Sequence, residues 1–253
     1  MNRHYFKVMY IMWLRQLKRY SRSKSRLIGA LGQPLLFLFA LGFGLGPVFA
    51  QAGKGDYITF LVPGIVAMSV LFTSMFSGIE IIWDRQFGFL KETLVAPVSR
   101  FQIMVGRTFG GATISIFQGF VILLLAHIVG FRLPTLTALF FTFLFMALIA
   151  LTFTALGTAI ASRMQDFHGF QLIMNFLVMP LVFLSGALFP IDGLPKVMEI
   201  IVKCNPLSYG IDGMRGALSG TDVYGLIPDL CVLGVTTAVL FIIGSYMFSK
   251  IQV

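Results

Sequence analysis

The chain has 253 residues, of which 57% are apolar and only 11% are charged. Soluble globular domains carry about 25% charged residues, so this composition excludes an ordinary soluble domain and indicates a protein embedded largely in lipid. The formal charge of +9 does not indicate a nucleic-acid partner, because eight of the 19 Lys and Arg residues lie within the first 26 positions, where they are suited to anionic lipid headgroups.

The chain begins with a basic segment that has the pattern of an amphipathic helix. Apolar and aromatic residues recur at helical spacing on one side: Phe6, Met9, Tyr10, Trp13, Leu17 and Tyr20. Basic residues fall on the other side: Lys7, Arg15, Lys18 and Arg22. We expect residues 1–26 to be cytoplasmic and to form a helix lying in the membrane interface. A simple basic tail that only orients the chain is the alternative.

Six later segments are long and apolar enough to cross a bilayer, which takes about 20 residues of helix. These predicted spans are 27–48, 57–82, 103–129, 133–161, 170–189 and 226–248. They fill most of the chain, so the sequence predicts one all-α transmembrane domain covering residues 1–253.

The distribution of basic residues predicts the orientation of these spans. Fourteen of the 19 Lys and Arg residues lie on one side, when Arg107 at the start of the third span is counted there. That side includes both termini and the segments that follow the second and fourth spans. Positive charge is retained on the cytoplasmic side. We therefore expect a multi-pass protein of the cell (inner or plasma) membrane with both termini in the cytoplasm.

The segment 83–102 is too polar to span the membrane and too apolar for a free linker. Phe87, Leu90 and Leu94 are spaced as on one face of a helix, and Pro97 disfavours helix at the residue before it. A helix this short is marginal alone, so we expect it to dock on its own bundle or on a soluble partner.

The segment 190–225 follows the fifth predicted span and is expected outside the cell. A first short helix is predicted from Pro195 to Cys204, and Asn205-Pro206 breaks it before an apolar pattern resumes at Leu207. Neither piece is long enough to span a bilayer, which favours a re-entrant or interfacial helix pair.

No motif for catalysis or for a metal is recognisable in the sequence. There is no G-x-x-x-x-G-K-[ST] phosphate loop, and the three histidines have no partner at metal-ligand spacing. We expect no catalytic residue, no metal and no cofactor bound by this chain. Glu80, near the end of the second span, is a possible gating residue. The alternative is a structural ion pair between Glu80 and Arg85 or Arg107.

Two stretches and their order along the chain carry a family resemblance. Residues 79–100 read IEIIWDRQFGFLKETLVAPVSR, and residues 205–218 read NPLSYGIDGMRGAL. Together with Phe183-Leu184-Ser185-Gly186 and Phe189-Pro190, they resemble the permease subunits of type-2 ATP-binding-cassette exporters. The chain looks most like the daunorubicin-resistance and nodulation-factor export branches.

The resemblance implies a fold and a set of partners. The fold is an all-α integral membrane protein with six transmembrane helices, an N-terminal interfacial helix, a cytoplasmic coupling helix at 83–102 and an external re-entrant pair at 190–225. Two ATPase subunits would bind the cytoplasmic side and hold ATP and Mg. A second permease copy, as in a homodimer, would complete the pathway for a drug, a lipid-linked molecule or a glycan.

The resemblance also implies two sets of functional residues. The set expected to couple to the ATPase is Asp84, Arg85, Phe87, Gly88, Leu90, Glu92, Leu94 and Pro97. The set expected in the external re-entrant element is Asn205, Pro206, Tyr209, Asp212 and Arg215.

Two other functions remain open. An ion-coupled secondary carrier usually has repeated halves and helices broken near the midplane, and no repeat is evident here. A membrane-embedded enzyme acting on lipid would need clustered acids or histidines at one membrane face, and the sequence has no such cluster.

Overall fold

The computed structural model describes residues 2–51, 56–95, 97–132, 135–191 and 195–251, with side chains described from residue 6 onward. Within these ranges the secondary structure is helical throughout. In chain order the helices are α1 (Asn2–Ser21), α2 (Lys24–Gln51), α3 (Tyr57–Phe76), α4 (Ile79–Gln86), α5 (Phe89–Val95), α6 (Arg100–Ile128), α7 (Leu136–Arg163), α8 (Phe167–Phe183), α9 (Lys196–Cys204), α10 (Pro206–Ser219) and α11 (Leu226–Ser249).

Five helical stretches are long and apolar enough to cross a membrane. They are α2, α3 with α4, α6, α7 and α11. The fifth predicted span, 170–189, differs from the structure: α8 ends at Phe183, and its 17 residues measure about 25 Å against a hydrocarbon core of about 30 Å. The chain then turns at Gly186, where φ is +75°. The multi-span character is confirmed, whereas the count of six spans stays a prediction.

Helix α3 lies at the centre of the bundle, and α2 and α11 lie at its edges. Leu61, Ile65, Val66 and Leu71 on α3 have no exposed surface. By contrast, few residues of α2 and α11 are buried within the chain. Large apolar side chains on those edge helices therefore face lipid or another protein.

The predicted N-terminal helix is confirmed, but its packing differs from the predicted stripe. Gly106 and Gly110 of α6 let α1 approach so closely that an added Cβ would collide with Met9 or Gln16. Trp13 Nε1 donates to Thr113 Oγ1 at 3.0 Å on the same face. One side of α1 is thus covered by protein, while Phe6 and Tyr10 of the predicted stripe stay exposed. Whether α1 lies in the membrane interface stays a prediction.

The segment after α3 contains two short helices where the sequence pattern predicted one. Helix α4 ends at Gln86, and Gly88 adopts a φ of +81° that a residue with a Cβ rarely takes. Helix α5 then runs to Val95; Ala96 lies outside the described residues. Ser99 caps α6, and the Gln102 side chain accepts from the Ser99 backbone N–H in a capping box.

One end of the bundle, which we call the charged end, contains α4 and α5, the start of α6 and the ends of α7 and α11. Helices α9 and α10 belong to the opposite end. The predicted break between α9 and α10 at Asn205 is confirmed. Gly210 and Gly213 let α10 pack against Ile149 and Phe145 of α7, where larger residues would collide.

Candidate functional site

A buried carboxylate organises the charged end. Asp84, near the end of α4, accepts hydrogen bonds from Arg15 at 2.9 Å and from Arg19 at 3.1 Å, both on α1. Its other oxygen accepts from Arg107 of α6. The side chains of Asp84 and Arg107 are each only 3% exposed. One carboxylate therefore links three helices: α1, α4 and α6.

Arg85 holds the other side of α4. Its guanidinium donates to the backbone carbonyls of Ser162, at 3.1 Å, and Met164, at the end of α7. The resemblance placed Asp84 and Arg85 among the residues that couple to the ATPase. The structure directs both side chains toward their own bundle, so they are suited to fixing α4 rather than to contacting a partner directly.

Glu80 forms an ion pair, but not with the partners expected from the sequence. Arg26 of α2 donates to Glu80 Oε1 at 2.9 Å, whereas Arg107 pairs with Asp84 and Arg85 binds backbone carbonyls. Glu80 Oε2 is buried without a hydrogen-bond partner among the described residues.

Trp83 makes a second contact between helices beside this pair. Its ring stacks on Phe167, at the start of α8, with 6.0 Å between ring centroids. The guanidinium groups of Arg26 and Arg19 lie 5.1 and 5.4 Å from the Trp83 ring. Such cation–π contacts add about 0.5–1 kcal/mol each at partly exposed sites. A movement of α4 would therefore change its contacts with α1, α2 and α8.

A cavity of about 410 Å³ opens next to the pair of Glu80 and Arg26. It lies between α1, α2, α3, α4, α6 and the start of α8, and its walls are mostly apolar, with Phe72 and Phe76 on the α3 side. Gln33 of α2 adds a polar group. Sites for small molecules typically measure about 300–1,000 Å³ and combine apolar walls with a few polar groups. The cavity therefore has the size and character of a site for an amphipathic molecule.

Helix α5 and the residues just before it have large apolar side chains exposed on the surface of the bundle. Phe87 is 71% exposed, Phe89 is 51% exposed and Val95 is 84% exposed. We call these three residues the apolar ridge. Leu90, by contrast, is fully buried, and Leu94 packs against the core. The predicted face of Phe87, Leu90 and Leu94 is therefore divided: Phe87 is exposed, Leu90 is fully buried and Leu94 is partly buried.

The remaining members of the predicted coupling set lie around this ridge. Glu92 is exposed on α5, and Pro97 lies in the bend before α6. Gly88 provides the positive φ that separates α4 from α5. Only the exposed members can contact another protein without rearrangement of the bundle.

At the opposite end, Asn205 connects three segments. Its amide nitrogen donates to the carbonyls of Leu181, at 2.8 Å, and Leu184, at 3.1 Å, at the end of α8. Its Oδ1 accepts from the N–H of Leu207 at 3.0 Å and so caps α10, with Pro206 at the first helical position. The break between α9 and α10 is therefore fastened to α8.

Asp212 ties α10 to the loop that precedes α11. Its carboxylate accepts from the backbone N–H of Val223, at 2.9 Å, and of Tyr224, at 2.8 Å. Tyr209 donates its hydroxyl to the carbonyl of Lys203 at 2.9 Å, and its ring contacts the Tyr224 ring. These contacts hold α9, α10 and the following loop in one arrangement.

Arg215 ties α10 to the centre of the bundle. Its guanidinium donates to the carbonyl of Gly186 at 3.1 Å and to that of Phe60 at 3.3 Å. It also lies 3.9 Å from the Phe60 ring. Of the five residues predicted for the external element, Asn205, Tyr209, Asp212 and Arg215 therefore make structural contacts within the described chain, and Pro206 begins α10.

Sequence reasoning missed the arginines of the charged end. Arg15 was assigned only to the basic face of the N-terminal helix, Arg19 was not singled out, and Arg107 was considered as a partner of Glu80. The available signal was the spacing of four residues between Arg15 and Arg19, since it places both side chains on one face of α1. Among the described residues, no group of three or more His, Cys, Asp or Glu side chains is arranged to hold a metal ion.

Comparison with known proteins gives the family. Residues 7–219 match the family described as ABC-2 type transporter. The chain belongs to the ABC-2 type transporter family. It is 32% identical to a protein named putative transport permease ycf38 of Cyanophora paradoxa. The similarity extends over 210 residues, which are 82% of this chain and 72% of that protein.

Relatives named nodulation protein J are also similar. The protein of Rhizobium leguminosarum bv. trifolii is 29% identical over 227 residues, covering 87% of this chain and 86% of that protein. The protein of Rhizobium leguminosarum bv. viciae is 26% identical over 242 residues, covering 94% and 93%. The resemblance to ABC-2 permeases of the nodulation branch is thus confirmed.

Membership of the ABC-2 family defines the broad role of the chain. It is a multi-pass membrane permease and a transmembrane transporter subunit. ABC-2 permeases are generally not catalytic themselves and generally pair with an ABC ATPase subunit.

Proposed function

We propose that this permease forms the translocation pathway of an ATP-driven exporter in the cell membrane. ATP and Mg bind to two copies of a separate ATPase subunit, and a second copy of the permease completes the pathway. Both termini and the charged end face the cytoplasm. Helix α8, extended by its flanking residues, is the sixth span, and α9 with α10 is the external re-entrant pair.

The apolar ridge is the observation that carries the proposal. Three large apolar side chains are exposed at one end of a membrane bundle, beside the charged residues Lys91 and Glu92. Water is a poor environment for such side chains, and exposed apolar side chains grouped on one short segment typically mark an interaction site. ABC-2 permeases generally pair with an ABC ATPase subunit, so we propose that the ridge docks in a groove of that subunit.

The attachment of the ridge supports a mechanical role. Gly88 joins α5 to α4, and Asp84 and Arg85 fasten α4 to α1, α6 and α7. When ATP closes the ATPase dimer, the α5 helices move together. Since α4 is held by buried ionic contacts rather than by a free loop, the movement is passed to the spans that border the pathway.

The cavity beside Glu80 supports an amphipathic substrate. Its apolar walls suit an acyl chain or an aromatic drug, and the pair of Glu80 and Arg26 suits a polar group. Drugs, lipid-linked molecules and glycolipids all combine these two characters. Glu80, whose second oxygen has no described partner, is the proposed gating residue.

The test is to make the apolar ridge polar. The double variant Phe87→Asp with Phe89→Asp is expected to insert into the membrane. Its unfolding temperature should equal that of the native protein, because both side chains are already exposed. It should lose the ATPase subunit, or the coupling between ATP hydrolysis and transport. Val197→Asp, at an exposed apolar residue in the first turn of α9 at the opposite end, is the matched control and should behave as native. Normal coupled ATPase activity in the ridge variant would contradict the proposal.

A further inference from the structure

A second recess lies at the charged end, apart from the cavity beside Glu80. It measures about 660 Å³ and is formed by α5, the start of α6 and the end of α11. Lys91, Arg100 and Lys250 line its sides, and Leu94, Val95 and Ile251 provide apolar surface. Leu94 packs against the core and Ile251 is almost fully buried, so this apolar surface is part of the bundle.

The recess has positive charge that the described chain does not neutralise. Lys91 and Lys250 form no ion pair within 4.0 Å among the described residues. No described carboxylate lines the recess. Three cations side by side repel one another, so an anion placed between them lowers the electrostatic energy of the site.

Arg100 is held in position before any ligand arrives. Its Nη1 donates to the backbone carbonyls of Ser249, at 2.6 Å, and Ile251, at 2.9 Å. These bonds occupy the carbonyl end of α11, where a cation is favourable, and they fix the guanidinium at the edge of the recess. A planar guanidinium fixed in this way is suited to the oxygens of a phosphate group.

The depth of the recess indicates which phosphate it meets. Arg100 begins α6 and Ser249 ends α11, and both helices are long and apolar enough to span a membrane. The recess therefore lies where the spans leave the hydrocarbon, at the level of lipid headgroups. We propose that it binds the phosphate of an anionic phospholipid, with Lys91, Arg100 and Lys250 around the headgroup and the upper acyl chains against Leu94.

A lipid bound in this way would join the short helix α5 to the ends of α6 and α11. Helix α5 has only seven residues and is joined to α4 through a glycine. An anionic lipid would therefore favour one position of α5 relative to the bundle. The recess is formed by the permease chain alone, and it shares only Val95 with the apolar ridge.

Native mass spectrometry of the purified full-length chain in detergent tests the proposal. Phosphatidylglycerol and phosphatidylcholine are titrated separately, and bound lipids are counted. The native chain is expected to bind one phosphatidylglycerol in preference to phosphatidylcholine. The double variant Lys91→Gln with Lys250→Gln should bind phosphatidylglycerol roughly 30-fold more weakly, since each basic residue at a lipid surface contributes about fivefold.

The matched control removes two other exposed cations from the same end. Lys18 and Arg22 lie outside the recess and form no ion pair with described residues. The variant Lys18→Gln with Arg22→Gln has the same net charge as the recess variant and should retain native affinity. The variant Lys91→Arg with Lys250→Arg should also retain it. Equal loss in the two glutamine variants would overturn the proposal, because attraction would then be spread over the surface.

Two further arms separate the other possible occupants. Inorganic phosphate that displaces phosphatidylglycerol at an equal concentration would identify a free-phosphate site and contradict the proposal. Loss of bound phosphatidylglycerol when a co-purified ATPase subunit is present would assign the recess to a protein interface and also contradict it. Retention of the lipid under both conditions is the expected result.

Discussion

The carboxylate of Asp84 and the guanidinium of Arg107 form a buried ion pair in which each side chain is only 3% exposed. Asp84 lies two residues before the end of α4, and Arg107 lies in the second turn of α6. The pair therefore joins the two helices that flank α5 in the sequence. Arg15 and Arg19 of α1 share the same carboxylate.

Removing the charge of Asp84 should destabilise the protein. Asp84→Asn leaves Arg107 buried without its counter-ion, and breaking a buried pair in this way typically costs about 3–5 kcal/mol. Thermal unfolding in detergent is expected to occur at a clearly lower temperature. Glu92→Gln, which removes an exposed carboxylate eight residues further along the chain, is the control and should unfold as native. A native unfolding temperature for Asp84→Asn would show that the pair does not stabilise the charged end.

Removing the charge of Glu80 should have a smaller effect on stability and a larger one on transport. Its partner Arg26 is about a third exposed, so Glu80→Gln leaves a cation that water can reach. Hydrogen bonds to charged groups contribute about 1.5–3 kcal/mol, less than the buried pair at Asp84. If Glu80 acts as a gate, assembly with the ATPase should persist while transport falls. Arg26→Lys, which keeps the charge, is the control, and equal loss of assembly and transport in Glu80→Gln would favour a structural role.

Gly88 should be sensitive to a single added methyl group. Its φ of +81° costs a residue with a side chain about 1–2 kcal/mol, so Gly88→Ala is expected to shift the angle between α4 and α5. Coupled ATPase activity should fall although the protein still inserts. Gly44→Ala is the control, because an added Cβ in α2 meets no atom within 4 Å. If both variants show native activity, a fixed angle at Gly88 is not required for coupling.

The orientation can be tested by cysteine labelling from the two sides of the membrane. In a chain carrying Cys204→Ser and Cys231→Ser, Thr221→Cys at the α10–α11 loop should react with an impermeant reagent in intact cells. Glu92→Cys should react only after permeabilisation. Both positions are exposed, so access to the reagent decides the result. Labelling of position 92 in intact cells, with position 221 protected, would reverse the proposed topology.

The sequence predicted the helices well where composition alone decides the structure. The spans 27–48 and 226–248 fall within α2 and α11, and the span 103–129 passes the end of α6 by one residue, because long apolar runs have no stable alternative to helix in a bilayer. The break at Asn205-Pro206 was also predictable, since Pro restricts the residue before it. These are local properties of the chain, and they can be read without knowledge of the packing.

The candidate site was less predictable because it depends on contacts between distant residues. Nothing local shows that Glu80 pairs with Arg26, or that Asp84 faces three arginines from α1 and α6. The division between exposed Phe87 and buried Leu90 follows from the positive φ at Gly88, which interrupts the helical period. The prediction from sequence spacing treated the segment as one continuous helix, and it therefore placed Phe87 and Leu90 on one face.

A pull-down from native membranes decides whether a separate ATPase drives this permease. The tagged chain is purified in mild detergent, and every co-purifying protein is identified. We expect a stoichiometric soluble subunit that carries a phosphate loop, and we expect it to be absent when Phe87 and Phe89 are both changed to Asp. A chain that is stable and transports without any such subunit would rule out the ATP-driven permease and favour an ion-coupled carrier.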